Sequence, residues 1–135
     1  MQSRATQRTC GEEIAVPSTE EAVHKAVVET GIPEIVRYLQ EVLGQKLTAF
    51  IAGTTDPKNV ARWSRGDHSP RPDTERKLRA AFQVFQLLQQ YDSEGVVRAW
   101  FIGMNPHLDD ESPAEVLRDG RLREVLSAAR LFTQS

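Results

Sequence analysis

The chain has 135 residues, of which 39% are hydrophobic, and a formal net charge of −2, which fits one main hydrophobic core with a small accessory region. No stretch approaches the roughly 20 apolar residues of a membrane span, and the polar residues 1–17 lack the apolar core of a secretory signal, so we expect a disordered leader, a cytoplasmic protein and no membrane partner. The single Cys10 excludes an internal disulfide, and His24, His68 and His107 lie on separate segments without metal-ligand spacing.

Three short helices are predicted in the first part of the chain. The capping box Ser18–Glu21 begins the first helix and Gly31 ends it. Pro33 stands at the start of the second helix, Gly44 follows its end, and Gly53 closes the third. Apolar residues recur at three- and four-residue spacing in the first two helices, so each is expected to turn one face towards a core.

A fourth helix, Pro57–Arg65, is bounded at both ends by residues that start and stop helices. Asp56 supplies the cap, a proline fills the first helical position, and Gly66 provides the stop. A rotation of 100° per residue places its basic side chains on one face and its apolar side chains nearly opposite. The basic face holds Lys58, Arg62 and Arg65, and the apolar face holds Val60 and Trp63.

The charge of the chain is unevenly distributed around this helix. Residues 58–80 carry seven basic side chains against three acidic ones, whereas residues 1–57 and residues 92–135 each carry five basic against eight acidic. A basic stretch between acidic flanks indicates one surface for a polyanion and other surfaces for different partners.

The sequence of the second half of the chain predicts further helices. The longest begins at Asp73 and carries an apolar stripe with three- and four-residue spacing: Leu78, Ala81, Phe82, Phe85, Leu88 and Tyr91. A second helix is capped by Ser93 and stopped by Asn105–Pro106, and a third begins at the capping box Ser112–Glu115. A final helix from Leu122 repeats apolar residues at helical spacing, and the chain shows neither a two-residue alternation nor a hairpin dipeptide. The predicted fold class is therefore all-α.

The third and fourth helices, with the turn between them, resemble the helix-turn-helix of XRE-type regulators. The pattern W-x-x-G-x-x-x-P that ends the recognition helix of those proteins corresponds here to Trp63, Gly66 and Pro70. The run from Gly53 to Val60 is about one residue longer than the usual turn. The resemblance implies a DNA-binding region over residues 18–72, anchored by Val60, Trp63 and Gly66, with its candidate DNA contacts at Lys58, Asn59, Arg62, Arg65 and Arg71.

Residues 73–135 are predicted to form a long connecting helix and a small helical toxin-binding region, and residues 98–120 within them resemble the C-terminal domain of the Xre/MbcA/ParS antitoxins. The typical pattern is W-L-x-x-P-N-P-x-L-x-G-x-S-P-x-x-x-L. Phe101, Met104 and Asp110 depart from it, standing where Leu, Pro and Gly are usual. The positions in register are Trp100, Asn105, Pro106, Leu108, Ser112, Pro113 and Leu117.

This resemblance implies an antitoxin whose C-terminal part covers the active site of a RES-fold, NAD-degrading toxin and whose N-terminal part binds operator DNA. A homodimer is the expected state, with larger toxin–antitoxin assemblies in addition. Trp100, Leu108 and Leu117 are expected to be structural anchors. The candidate toxin contacts are the motif residues Asn105, Pro106, Ser112 and Pro113 and their neighbours Arg118, Arg121, Arg123 and Arg130.

Other classes of protein fit the sequence less well. Asp109–Glu111 lacks the ligand spacing of a calcium loop and a fixed acid/base partner, and no phosphate loop or nucleophile motif is present. We therefore predict no catalytic residues, metal or cofactor. A stand-alone helix-turn-helix regulator without a toxin remains open, as does an interaction module that does not bind DNA.

Overall fold

The computed structural model describes residues 19–134, apart from the side chains of residues 26–29. Within these residues the chain is helical and contains no strand, so the predicted all-α class is confirmed. The predicted leader, Cys10 and the capping residue Ser18 lie outside the described residues. The α-helices are α1 (Thr19–Glu29), α2 (Ile32–Val42), α3 (Gln45–Ala52), α4 (Pro57–Arg65), α5 (Pro72–Gln89), α6 (Glu94–Ile102), α7 (Pro113–Arg118) and α8 (Leu122–Thr133), with a 3₁₀ turn at Pro106–Leu108.

The predicted end of α3 and both predicted ends of α4 are confirmed. Gly53 and Gly66 follow the two helices with φ of 83° and 75°, a left-handed conformation that glycine adopts without steric cost. Between the helices, the carboxylate of Asp56 accepts a hydrogen bond of 3.0 Å from the Lys58 backbone N–H. The first turn of α4 is thus capped by a side chain that the sequence places directly before it.

Helix α5 is the central element of the fold, since it packs against α1, α2, α3, α6, α7 and α8. Most of its predicted apolar stripe is buried, and Val84 and Leu87 are buried as well, so its buried surface is wider than the sequence indicates. Tyr91, predicted as the last residue of the stripe, is instead 56% exposed because the helix ends at Gln89. The buried residues of the predicted stripe are Leu78, Ala81, Phe82, Phe85 and Leu88.

The buried side chains form one continuous cluster that runs from Val23 in α1 to Ala129 in α8. This cluster includes residues from both regions distinguished in the sequence, and α3 packs directly on α7. Polar bonds join the same parts: the Arg98 guanidinium donates to the Val42 carbonyl over 2.8 Å. In the described part of the chain, no helix is long and apolar enough to cross a membrane.

The end of α6 differs from the prediction. The helix stops at Ile102, and Gly103 is extended with φ −87° and ψ 158°. The chain has therefore left the helical path two residues before Asn105–Pro106, which does not stop the helix. Asn105 instead caps the 3₁₀ turn that follows.

The two tryptophans differ in burial, although both were predicted as anchors. Trp63 is 6% exposed within the core, as predicted. Trp100 is only half-buried, which corrects the prediction of a buried anchor. It packs on the edge of the cluster against Phe101 and Phe132, with ring centroids 5.5 Å and 6.1 Å away, because the fully buried positions of α6 are occupied by Val97 and Phe101.

This difference predicts unequal effects on stability. Trp63→Ala should lower the free energy of unfolding by about 3–5 kcal/mol, the usual cost of truncating a buried tryptophan. Trp100→Ala should cost clearly less, because part of its side chain is already in water. Urea unfolding of both variants measures the two values, and equal losses would contradict the burial seen here.

Candidate functional site

Helix α4 presents a basic surface on a packed base. Val60 and Trp63 are buried against the core, where α4 packs on α2 and α3. Lys58, Arg62 and Arg65 are exposed. The predicted division of the helix into a basic and an apolar face is confirmed.

A small polar network orders the N-terminal half of this surface. The Asn59 amide donates to the Thr54 hydroxyl over 2.9 Å and accepts from the Arg62 guanidinium over 3.1 Å. Asn59 is half-buried, so it can hold Arg62 in place. The longer turn expected between Gly53 and Val60 thus contains a hydroxyl, that of Thr54, which accepts a hydrogen bond from the first turn of α4.

Contacts from α2 and α3 fix the two ends of α4. The Arg37 guanidinium donates to the Ser64 carbonyl over 2.6 Å, and the Gln45 amide donates to the Pro57 carbonyl over 2.8 Å. Arg71 is exposed just before α5 and lines, with Asn59, a cleft of about 280 Å³. Of the other predicted DNA-binding residues, the structure thus brings Asn59 to the same cleft as Arg71.

The loop after α6 is organised around Asn105. Its side-chain oxygen accepts from the His107 backbone N–H, and its carbonyl accepts from the Leu108 and Asp110 N–H groups, each over 2.9 Å. Its own N–H donates to the Glu111 carbonyl over 3.2 Å. Asn105 is only 7% exposed, so its position is that of a loop-closing residue, whereas Pro106 is exposed.

Two consecutive aspartates in this loop adopt the left-handed region. Asp109 has φ 54° and Asp110 has φ 66°, values that cost most L-residues energy but that aspartate tolerates better than most. Glycine is usual at position 110 in the resembled pattern, and the backbone conformation gives the physical reason. Leu108, 2% exposed, anchors the loop to the core as predicted.

A capping box begins α7, as predicted. The Ser112 hydroxyl accepts from the Glu115 N–H over 3.1 Å, and the Glu115 carboxylate accepts from the Ser112 N–H over 2.9 Å. The hydrogen bonds from Ser112 hold the pKa of Glu115 below its ordinary value. Pro113 is buried in the first turn and Leu117 is fully buried, so these motif residues support the fold.

Three of the four predicted partner-binding arginines are engaged within the chain. Arg118 lies 4.7 Å from the centre of the Phe50 ring, and the Arg130 guanidinium pairs with the Glu20 carboxylate. Hydrogen bonds to Glu124 and Glu111 raise the pKa of Arg121. Arg123, the fourth, is exposed and forms no ion pair with the described part of the chain.

One surface was missed by the sequence interpretation. Phe50, Ile102 and Met104 are 36%, 60% and 81% exposed and line one cleft with Ser112 and Glu115. The sequence signal that could have indicated this surface was Met104, a large apolar residue at a loop position where the resembled pattern has Pro. We call Phe50, Ile102 and Met104 the apolar patch. Among the described residues, no group of three His, Cys, Asp or Glu side chains is placed to hold a metal ion.

Comparison with known proteins finds similarity to bacterial antitoxins. The matching proteins are the Mycobacterial cidal antitoxin MbcA of Mycobacterium bovis and of the H37Rv and CDC 1551 strains of Mycobacterium tuberculosis, each 28% identical over 71 residues. The match covers 53% of this chain and 63% of each relative. No family profile and no solved structure matches the chain. The chain is thus similar to these antitoxins over about half of its own length and over less than two thirds of theirs.

The capping box of α7 makes a stability prediction. Ser112→Ala should lower the free energy of unfolding by about 1 kcal/mol, since it leaves the Glu115 backbone N–H without its side-chain acceptor. Because the pKa of Glu115 is depressed in the folded state, the contribution of its carboxylate should be present above pH about 4.5 and be lost as the pH falls below that value.

Thermal unfolding at neutral and acidic pH measures this effect. Ser127→Ala is the matched control, because Ser127 is exposed on α8 and alanine is the better helix former. An equal loss in both variants would show that the capping box contributes nothing specific.

Proposed function

We propose that this protein is a non-enzymatic antitoxin that binds and neutralises a toxin encoded beside it and that binds operator DNA to regulate its own expression. The similarity to MbcA over 71 residues carries the antitoxin proposal. The resemblance of Trp100–Leu117 to the Xre/MbcA/ParS pattern extends it to a toxin of the RES fold that degrades NAD.

The DNA-binding proposal assigns α4 as the recognition helix of a helix-turn-helix that it forms with α3. Its buried Val60 and Trp63 and its exposed Lys58, Arg62 and Arg65 support this role, because a recognition helix must pack on one side and reach the major groove with the other. A homodimer on paired half-sites is part of the same proposal.

This proposal predicts the salt dependence of DNA binding. If Arg62 and Arg65 each neutralise a phosphate, Arg62→Ala/Arg65→Ala should weaken operator binding and make the slope of log K against log salt less steep by about 0.9 per lost contact. Fluorescence anisotropy with the upstream DNA, at several salt concentrations, measures both effects.

The matched control is Lys25→Ala/Arg123→Ala, which removes the same charge from exposed positions outside α4. It should change the slope much less, because neither residue lies on the proposed DNA surface. If the control variant lowers DNA affinity as much as the α4 variant does, the loss of affinity is explained by the change in net charge and not by the position of Arg62 and Arg65.

The toxin-binding proposal assigns the partner surface to the C-terminal half. An enzyme that takes NAD must admit a negatively charged pyrophosphate, so its entrance is expected to be electropositive. Asp109, Asp110 and Glu115 are exposed near the start of α7. Their negative charges would be attracted to an electropositive entrance.

Neutralisation is tested with the full-length chain, because the shared core makes deletion of residues 1–70 a test of folding as well as of function. Co-expression with the neighbouring toxin should restore growth and cellular NAD. Arg62→Ala/Arg65→Ala should restore both equally well, since α4 is not on the proposed toxin surface. Failure of the unaltered chain to protect cells from this toxin would refute the antitoxin proposal.

The stand-alone regulator is the alternative that this test separates. A chain that binds the upstream DNA but has no toxin-like reading frame beside it would fit that alternative. Loss of protection together with loss of DNA binding in the α4 variant would instead show that the two activities share one surface.

A further inference from the structure

The apolar patch is a cluster rather than a set of isolated exposed residues. Phe50 comes from α3, whereas Ile102 ends α6 and Met104 follows it two residues later, and all three line one cleft. Single exposed apolar side chains are ordinary on protein surfaces. A contiguous group with polar neighbours is a common mark of a binding surface.

The patch is held in a fixed arrangement. The Arg118 guanidinium lies over the Phe50 ring and donates to the Phe50 carbonyl over 2.8 Å, so it fixes both the side chain and the end of α3. Met104 directly precedes Asn105, whose hydrogen bonds close the following loop. A surface already ordered before binding loses less conformational entropy on association.

The α7 side of the patch is acidic. Glu115 lines the same cleft, and Asp109 and Asp110 are exposed in the loop that follows Met104. Within the described residues none of these three carboxylates forms an ion pair. Arg118, on the same helix as Glu115, is already placed over the Phe50 ring.

This charge pattern distinguishes between possible occupants. A second copy of the chain, seated patch against patch, would bring two acidic borders together, and like charges facing each other across an interface oppose association. A protein whose surface has an apolar centre and a basic border would bury the apolar patch and pair with the acidic side chains beside it.

We propose that the apolar patch and its acidic border are the docking site for a partner protein whose matching surface is apolar at its centre and basic at its edge. This inference rests on the proposed function, which supplies the partner: the toxin encoded beside the chain. The patch then contributes the apolar contact area, and the negative charge of Glu115 favours a partner whose border is basic.

The test compares two charged substitutions at one exposed position in the full-length protein. Met104→Lys removes the apolar group and places a base against the basic border, so it should weaken binding of the purified toxin by about 30-fold or more, as for a central interface residue. Met104→Glu removes the same apolar group but keeps the favourable sign, so its loss should be several-fold smaller. Isothermal titration calorimetry measures both.

Tyr91→Lys is the matched control, because Tyr91 is 56% exposed and lies outside the cleft. It should leave toxin affinity unchanged. Met104 is 81% exposed, so its variants should melt like the unaltered protein. Ile102→Lys should repeat the loss from a second position.

The outcomes separate the patch from the wider proposal. If the unaltered chain does not bind the toxin, the proposed function fails and this inference fails with it. If the unaltered chain binds and Met104→Lys and Ile102→Lys bind equally well, only the patch assignment is overturned. A greater loss for Met104→Glu than for Met104→Lys, or a change from dimer to monomer in light scattering with unchanged toxin affinity, would also overturn it.

Discussion

Burial of α5 is the constraint on which the rest of the structure depends. Its apolar residues face more than one side, so α1, α2, α3, α6, α7 and α8 can all pack against it. An 18-residue helix that is this widely buried must be covered almost completely to keep its apolar surface from water. The positions of α4 and of the loop after α6 therefore follow from how the surrounding helices cover α5.

On this framework, backbone hydrogen bonds and helix caps set the local geometry of the two candidate surfaces. Asp56 and Thr54 order the entry to α4, and Asn105 closes the loop between α6 and α7. In both places a short polar side chain accepts a hydrogen bond from a backbone N–H at the start of a helical turn. The surfaces are thus as rigid as the framework that carries them.

The sequence predicts most of the helices because their boundaries are set by neighbouring residues. Asp56 and Ser112 cap helices that begin directly after them. The half-burial of Trp100 was not predictable, because it depends on Phe132, which is 32 positions further along the chain. The apolar patch was missed for the same reason: Phe50 joins Ile102 and Met104 only after α3 has packed on α7.

The continuous core has a consequence for the lifetime of the protein in the cell. When one hydrophobic cluster supports every helix, a molecule bound at any surface favours the same folded state by mass action, by an amount that grows with its free concentration relative to its dissociation constant. Proteases act on transiently opened chains, so a molecule bound at one surface also protects the rest of the chain from degradation. The abundance of the basic helix α4 is thereby coupled to whatever occupies the apolar patch, without any change in shape.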